Sequence, residues 1–189
     1  MVNIAVFVSG NGSNCENIIC HFADSKVARV TLVISNREDA LALKRAERLG
    51  VDTMVITKTE LADKTKMETV LDDYQIGFVV LAGFLLMIPD FLINRYNKRI
   101  VNIHPSLLPK YGGKGMYGHH VHEAVKAAGD TVTGITIHFV SNVCDGGDIL
   151  LQATTKLSPD DTADDIAEKV HQLEMEHFPK VIEHTISLL

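Results

Sequence analysis

Asn102 and His104 stand two residues apart at the end of an apolar run, Ile100-Val101-Asn102-Ile103-His104, and Pro105 follows at once. In an extended strand, residues two apart share a face. An amide and an imidazole would therefore project together from the end of a strand. An amide can donate to a developing oxyanion, and an imidazole can donate or pass on a proton near neutral pH. Taken alone, the pair is equally a hydrogen-bonded polar couple under a loop. A carboxylate joins it from Cys144-Asp145-Gly146-Gly147-Asp148. Asp145 could orient His104 or balance its charge, as the third member of a triad does, or it could be an ordinary Asp-Gly turn residue.

A second chemical signal sits near the start. The apolar run Val2–Val8 passes into Ser9-Gly10-Asn11-Gly12-Ser13-Asn14, and a helical pattern follows. Glycines allow the backbone close to a ligand, and the amides of Gly12, Ser13 and Asn14 at a helix start can bind an anion. Cys15 stands where a dinucleotide fingerprint has its third glycine, and Ser35-Asn36-Arg37 lacks the acid that would hold an adenosine ribose. These residues disfavour NAD and favour a phosphate monoester, against the plainer reading of a tight empty turn. The apolar stretch Leu81 to Pro89, with Gly83 at its bend, could wall a flat ligand or simply be core. His119, His120, His122 and His138 lack the spacing of a zinc site, so no metal is expected. His171 and Glu174 are helix neighbours three apart, at a pocket edge or on a solvated face.

These residues need a scaffold, and the hydrophobic pattern supplies one. Strands are expected at Val2–Val8, 27–35, 53–56, 76–82 and 100–103, separated by helices at 13–22, 40–49, 61–74 and 89–96. Such alternation implies parallel strands with helical crossovers. Beyond it come a helix over 118–128, an alternating strand over 131–140, and a strand over 149–156. The last two are joined without a helix and should run antiparallel. A final helix begins near Pro159-Asp160-Asp161-Thr162, with Pro179 marking its end or a kink. The expected fold is α/β and three-layered: a Rossmann-like, mostly parallel sheet with antiparallel strands added in the second half. Residues 1–189 read as a single domain.

Composition agrees with a globular protein: 46% hydrophobic and 22% charged residues. The net charge of −6 disfavours a general nucleic-acid binder. Three scattered cysteines make no disulfide framework. No run approaches the roughly 18 apolar residues of a membrane span, and the apolar start lacks the basic flank of a signal peptide. A cytoplasmic protein without membrane partners is the expectation.

In this order, S-G-N-G-S-N, L-A-G-F-L before Pro89, N-I-H-P-S-L-L-P-K-Y and D-G-G resemble the phosphoribosylglycinamide formyltransferases of purine synthesis, over nearly the whole chain. The resemblance implies the formyltransferase fold, with 1–100 as its phosphate-binding half and 101–189 as its catalytic and folate half. It implies formyl transfer from 10-formyltetrahydrofolate to glycinamide ribonucleotide, two small molecules, with no metal; it leaves a homodimer open. By motif position, Asn102, His104 and Asp145 would be catalytic. Gly12, Ser13 and Asn14 would hold the phosphate, and Glu174 the ribose. Leu85, Leu86, Met87 and Ile88, with Val140 to Asp145, would line the folate pocket. Leu86 stands where relatives often carry Arg, and Lys58, Lys64 and Lys66 are equal candidates for a distal phosphate partner. Two rivals remain: a hydrolase of 10-formyltetrahydrofolate, and a non-catalytic module that binds a phosphorylated ligand.

Overall fold

A computed structural model describes residues 1–189. Seven strands form one sheet in the order β3-β2-β1-β4-β5-β6-β7. They are β1 (Val2–Val8), β2 (Ala28–Ser35), β3 (Asp52–Val55), β4 (Ile76–Leu81), β5 (Ile100–His104), β6 (Val132–Phe139) and β7 (Ile149–Lys156). The first five run parallel, whereas β6 is antiparallel to both β5 and β7. A mostly parallel sheet with added antiparallel strands is what the pattern of elements predicted.

The strands are apolar throughout because both faces are covered. In β1, Ile4, Val6 and Val8 enter one core while Ala5 and Phe7 enter the other. The first core is closed by α1 (Ser13–Phe22), α2 (Leu41–Arg48), α6 (His119–Ala128) and α7 (Ala163–Ser187). The second is closed by α3 (Lys58–Ala62), α4 (Lys64–Asp73) and α5 (Asp90–Arg95). Side-chain alternation on β5 sends Val101 and Ile103 into the first core. It therefore turns Asn102 and His104 to the second face, as their spacing predicted.

Chain order places the site. The strands step outward from β1 to β3, return to β4 beside β1, and continue the other way. At such a reversal the loops leaving two adjacent parallel strands part and open a crevice. Here the loops after β1 and β4 are tied at their base, where Ser9 N–H donates to Gly83 O at 3.0 Å.

Two boundary expectations are corrected. The helix expected over 61–74 is two helices, because Asp63 ends α3 and caps α4, its Oδ1 accepting from Lys66 N–H at 3.0 Å. Competition from a side-chain acceptor is what makes Asp a capping residue. Pro179 neither ends nor interrupts the last helix, and α7 continues to Ser187. A proline inside a helix leaves the carbonyl four residues earlier without its donor. That carbonyl belongs to Met175, and Asn17 on α1 supplies the missing bond, its Nδ2 donating at 2.9 Å.

Candidate active site

The loop after β1 enters α1 through Gly12, whose φ of 80° suits glycine, and no side chain caps the helix. The first amides of α1 are thus left to a ligand or to solvent. Gly12 is glycine for a packing reason: a Cβ there would lie 2.4 Å from Ala42 Cβ and 2.5 Å from Ala42 Cα. The missing side chain faces helix α2, not the crevice. Arg45, one turn further along α2, clamps the same loop. Its Nε donates to Asn11 O at 3.0 Å and its Nη2 to Asn11 Oδ1 at 2.9 Å, and Glu16 takes its remaining nitrogen.

Asn14 and Glu174 meet across this helix start: Asn14 Nδ2 donates to Glu174 Oε2 at 2.8 Å. The Asn14 Oδ1 is buried and has no partner. Buried polar atoms are rarely left unpaired, so this acceptor is available to a ligand's hydroxyl. His171 Nδ1 lies 3.3 Å from the same Glu174 oxygen. That bond to Glu174 raises the imidazole above its ordinary range, favouring the charged form. Lys58, Lys64 and Lys66 belong instead to α3 and α4 on the other face of the sheet. Lys66 is paired with Glu60, and Lys64 lies 3.9 Å from Glu68.

Asn102, His104 and Asp145 come together at the end of β5. Asn102 Nδ2 lies 3.1 Å from His138 Nε2, on the facing strand. His138 Nδ1 lies 2.8 Å from Phe139 O. A carbonyl only accepts, so His138 carries its proton on Nδ1 and Nε2 accepts from the Asn102 amide. Burial pushes His138 below the ordinary histidine range, which keeps it a neutral acceptor. The Asn102 amide is thereby oriented, with a second N–H to offer. By the same logic His104 Nε2 donates to Tyr111 O at 2.7 Å, so its Nδ1 faces Asp145 Oδ2 at 3.7 Å. Asp145 sits in a left-handed turn with φ 54° and accepts from Gly113 N–H at 2.8 Å. Gly147 lets this turn pass close to the sheet, since a Cβ there would fall 1.7 Å from Phe139 O.

The proline-bracketed loop is fixed from beneath. Thr136 Oγ1 accepts from Leu108 N–H at 3.0 Å and donates to Ser106 O at 2.7 Å, while Gln152 Nε2 reaches Leu108 O at 2.9 Å. The Leu108–Pro109 peptide is cis.

The apolar loop after β4 is split in its allegiance. Ile88 is buried and Leu86 packs on the second core, whereas Leu85 and Met87 are exposed at 50% and 57%. Leu85 and Met87 thus offer apolar surface to a ligand, and Val140 closes the same cluster below. Ser9 braces this loop: its Oγ accepts from Leu85 N–H at 2.9 Å and donates to Asn36 Oδ1. Ser9, Arg45, Tyr111 and the orienting role of His138 escaped sequence reasoning. The His138 role had a signal, since strand alternation already put it on one face with Thr136.

An uncapped helix start with an orphaned acceptor thus follows β1, and an amide, an imidazole and a carboxylate are grouped at the end of β5, both at the carboxyl edge of the parallel strands. That is the equipment of an enzyme able to hold an anionic substrate and stabilise charge on a carbonyl oxygen. A sequence profile described as formyl transferase matches residues 2–182, and the chain belongs to that family. The chain is 38% identical over 185 residues to the chloroplastic phosphoribosylglycinamide formyltransferase of Arabidopsis thaliana, spanning 95% of this chain but 63% of that protein. It is 35% identical to phosphoribosylglycinamide formyltransferase of Haemophilus influenzae, covering 96% of this chain and 86% of that one. The crystal structure of phosphoribosylglycinamide formyltransferase from Anaplasma phagocytophilum superposes with a TM-score of 0.88 at 31% identity, covering 98% of this chain and 87% of that chain.

Proposed function

We propose that this protein transfers a formyl group from 10-formyltetrahydrofolate to the amine of glycinamide ribonucleotide. Two groups at the carboxyl edge of the parallel strands support the reading: the Asn14–Glu174 pair at an uncapped helix start after β1, and the Asn102–His104–Asp145 group at the end of β5, with β4 between those strands. The first receives a phosphorylated sugar and the second works on an acyl carbon.

The amine of the ribonucleotide attacks the formyl carbon, and negative charge develops on the formyl oxygen. The free N–H of Asn102 and the Nδ1–H of the imidazolium form of His104, whose Nε2 is held by Tyr111 O, stabilise that oxyanion. Asp145 balances the charge on His104. A proton leaves the attacking nitrogen and reaches the departing folate nitrogen as the carbon–nitrogen bond breaks, with Asp145 and His104 as the nearby relay groups. The products are formylated ribonucleotide and tetrahydrofolate, so atoms and charge balance without a redox partner. Gly12 to Asn14 hold the phosphate, Glu174 the ribose, and Leu85 to Ile88 with Val140 flank the pterin. We place this reaction in the cytoplasm, with two small molecules as its only required partners. No helix of the structure is long and apolar enough to cross a membrane.

The test mixes protein with 10-formyltetrahydrofolate, with and without the ribonucleotide, and follows deformylated folate. Release that depends on the ribonucleotide is expected. Release without it would make the protein a hydrolase and leave the helix start as a turn. Calorimetric binding without release in either case would make it a binding module.

A further inference from the structure

His104 is oriented by a backbone carbonyl, and that carbonyl belongs to a residue in an uncommon conformation. Tyr111 has φ 53°, in the left-handed region that bulky side chains seldom occupy. Something outside the backbone must hold it there. The Tyr111 hydroxyl donates to Asp130 Oδ2 at 2.9 Å. Lys110 Nζ reaches both oxygens of the same carboxylate at 3.0 Å, but its side chain is 65% exposed, so that ion pair adds little. Two residues further on, Gly113 N–H donates to Asp145 Oδ2 at 2.8 Å. One short segment, 110–113, therefore touches both members of the His104–Asp145 pair; Ser106 Oγ holds its start, donating to Lys110 O at 2.6 Å, and Asp130 anchors its tyrosine. Asp130 follows Gly129, which caps α6 with φ 69°. A cavity of about 270 Å³, bordered by Leu107, Tyr111, Asp130 and Thr133, adjoins the tyrosine, so the ring has room to shift once the hydroxyl is released.

We infer that Asp130 is a positioning residue for the active site, acting through the Tyr111 hydroxyl to hold the Tyr111 carbonyl on His104 Nε2 and the Gly113 amide on Asp145. The inference rests on the formyl-transfer reading of the site. The anchor sets which imidazole nitrogen carries the proton, and it keeps Nδ1 directed at the carboxylate. It touches no substrate atom.

The test uses the full chain and two variants, Tyr111→Phe and Asp130→Ala, each of which removes one partner of the hydrogen bond. NMR of the His104 ring nitrogens above pH 8 reads the tautomer. The native protein is expected to show one Nε2-protonated form with a slowly exchanging Nε2 proton. Both variants are expected to show mixed tautomers and proton exchange at least about tenfold faster. In the transfer assay kcat should fall about tenfold while the KM for the ribonucleotide stays within about twofold, because alignment and not binding is lost. The double variant should be no worse than the weaker single one, since both break the same link. Asp130→Glu should recover part of kcat, and Lys110→Met should leave tautomer and kcat unchanged. An unaltered His104 spectrum in Tyr111→Phe, or single effects that multiply in the double variant, would overturn the inference. If the native protein transfers no formyl group, the functional reading falls, and the tautomer measurement still decides the positioning role.

Discussion

Replacing Gly12 by Ala tests whether the anion loop is shaped by its ligand or by its neighbour. The added Cβ would meet Ala42 Cβ at 2.4 Å and Ala42 Cα at 2.5 Å. Carbon atoms pack comfortably at about 3.5 Å or more, so loop and helix must part by about 1 Å. The φ of 80° adds about 1 kcal/mol for a residue with a side chain. Overpacking of a tight core neighbour adds about 1–3 kcal/mol. The sum is about 3 kcal/mol of lost stability, read from urea denaturation. The same movement drags the start of α1 away from Glu174, and a misplacement of about 1 Å can lower turnover about a hundredfold. Gly10→Ala is the control, because a Cβ there meets nothing within 4 Å. It should stay within about 0.5 kcal/mol of the native protein. An added Ala42→Gly should restore only part of the loss, since the clash with the α2 backbone at residue 42 and the φ strain both remain. Equal stability of Gly12→Ala and Gly10→Ala would refute the packing account.

Other outcomes follow from the same geometry. Asn102→Ala removes the proposed oxyanion donor and should lower kcat by about 10²–10³ with little change in ribonucleotide KM; near-normal turnover would remove it from the mechanism. Glu174→Gln should raise that KM and lower the His171 pKa measured by NMR, because the Glu174 bond is the main cause of its elevation. Asn17→Ala exposes the Met175 carbonyl and should cost about 1 kcal/mol in denaturation; an added Pro179→Ala restores a helix donor and should remove most of that cost. Acid should destabilise the fold through His122 and His138, which burial holds below the ordinary value of 6.5. Below about pH 6.5 the unfolded chain takes up protons that these buried rings resist, so stability falls with pH down to their folded pKa values, by at most about 1.4 kcal/mol per unit for each ring. His171 acts in the opposite sense, its contribution being full below 6.5 and lost as pH rises through its raised folded value. His122→Asn should flatten the acid limb of melts at pH 5.5 to 7.5, and an unchanged slope would exclude that ring as a cause.

Much of this architecture was legible because the strands are short, apolar and regularly spaced. Period-two alternation alone put Asn102 and His104 on one face, and Pro105 ended the strand beside them. The antiparallel turn of β6 and β7 followed from the lack of a helix between them. What the pattern could not show depends on neighbours distant in the chain. Pro179 looked like a helix end or a kink because its remedy, Asn17, lies in another helix. The packing demand on Gly12 was hidden because nothing local reveals Ala42. The break at Asp63 was readable from capping chemistry, as Thr57 and Glu60 form a capping box just before it. Helical periodicity across 61–74 masked it. Within the site, residue types announced Asn102, His104 and Asp145, whereas Tyr111 acts through a carbonyl that any residue could supply.

The seam between α1 and α7 has a temporal consequence. Asn14 meets Glu174, Asn17 meets Met175, and His21 Nε2 lies 2.9 Å from Glu183 Oε2. The helix that follows β1 leaves the ribosome well before its partner, which comes after every strand of the sheet. Until α7 arrives, Asn14 lacks its carboxylate and α1 lacks a lid for its apolar side. The Met175 carbonyl, freed by Pro179, then serves as a register mark, since a slip of one helical turn would leave Asn17 opposite a carbonyl that is already taken. Ribonucleotide binding should therefore emerge late and abruptly during synthesis, with the docking of a single helix.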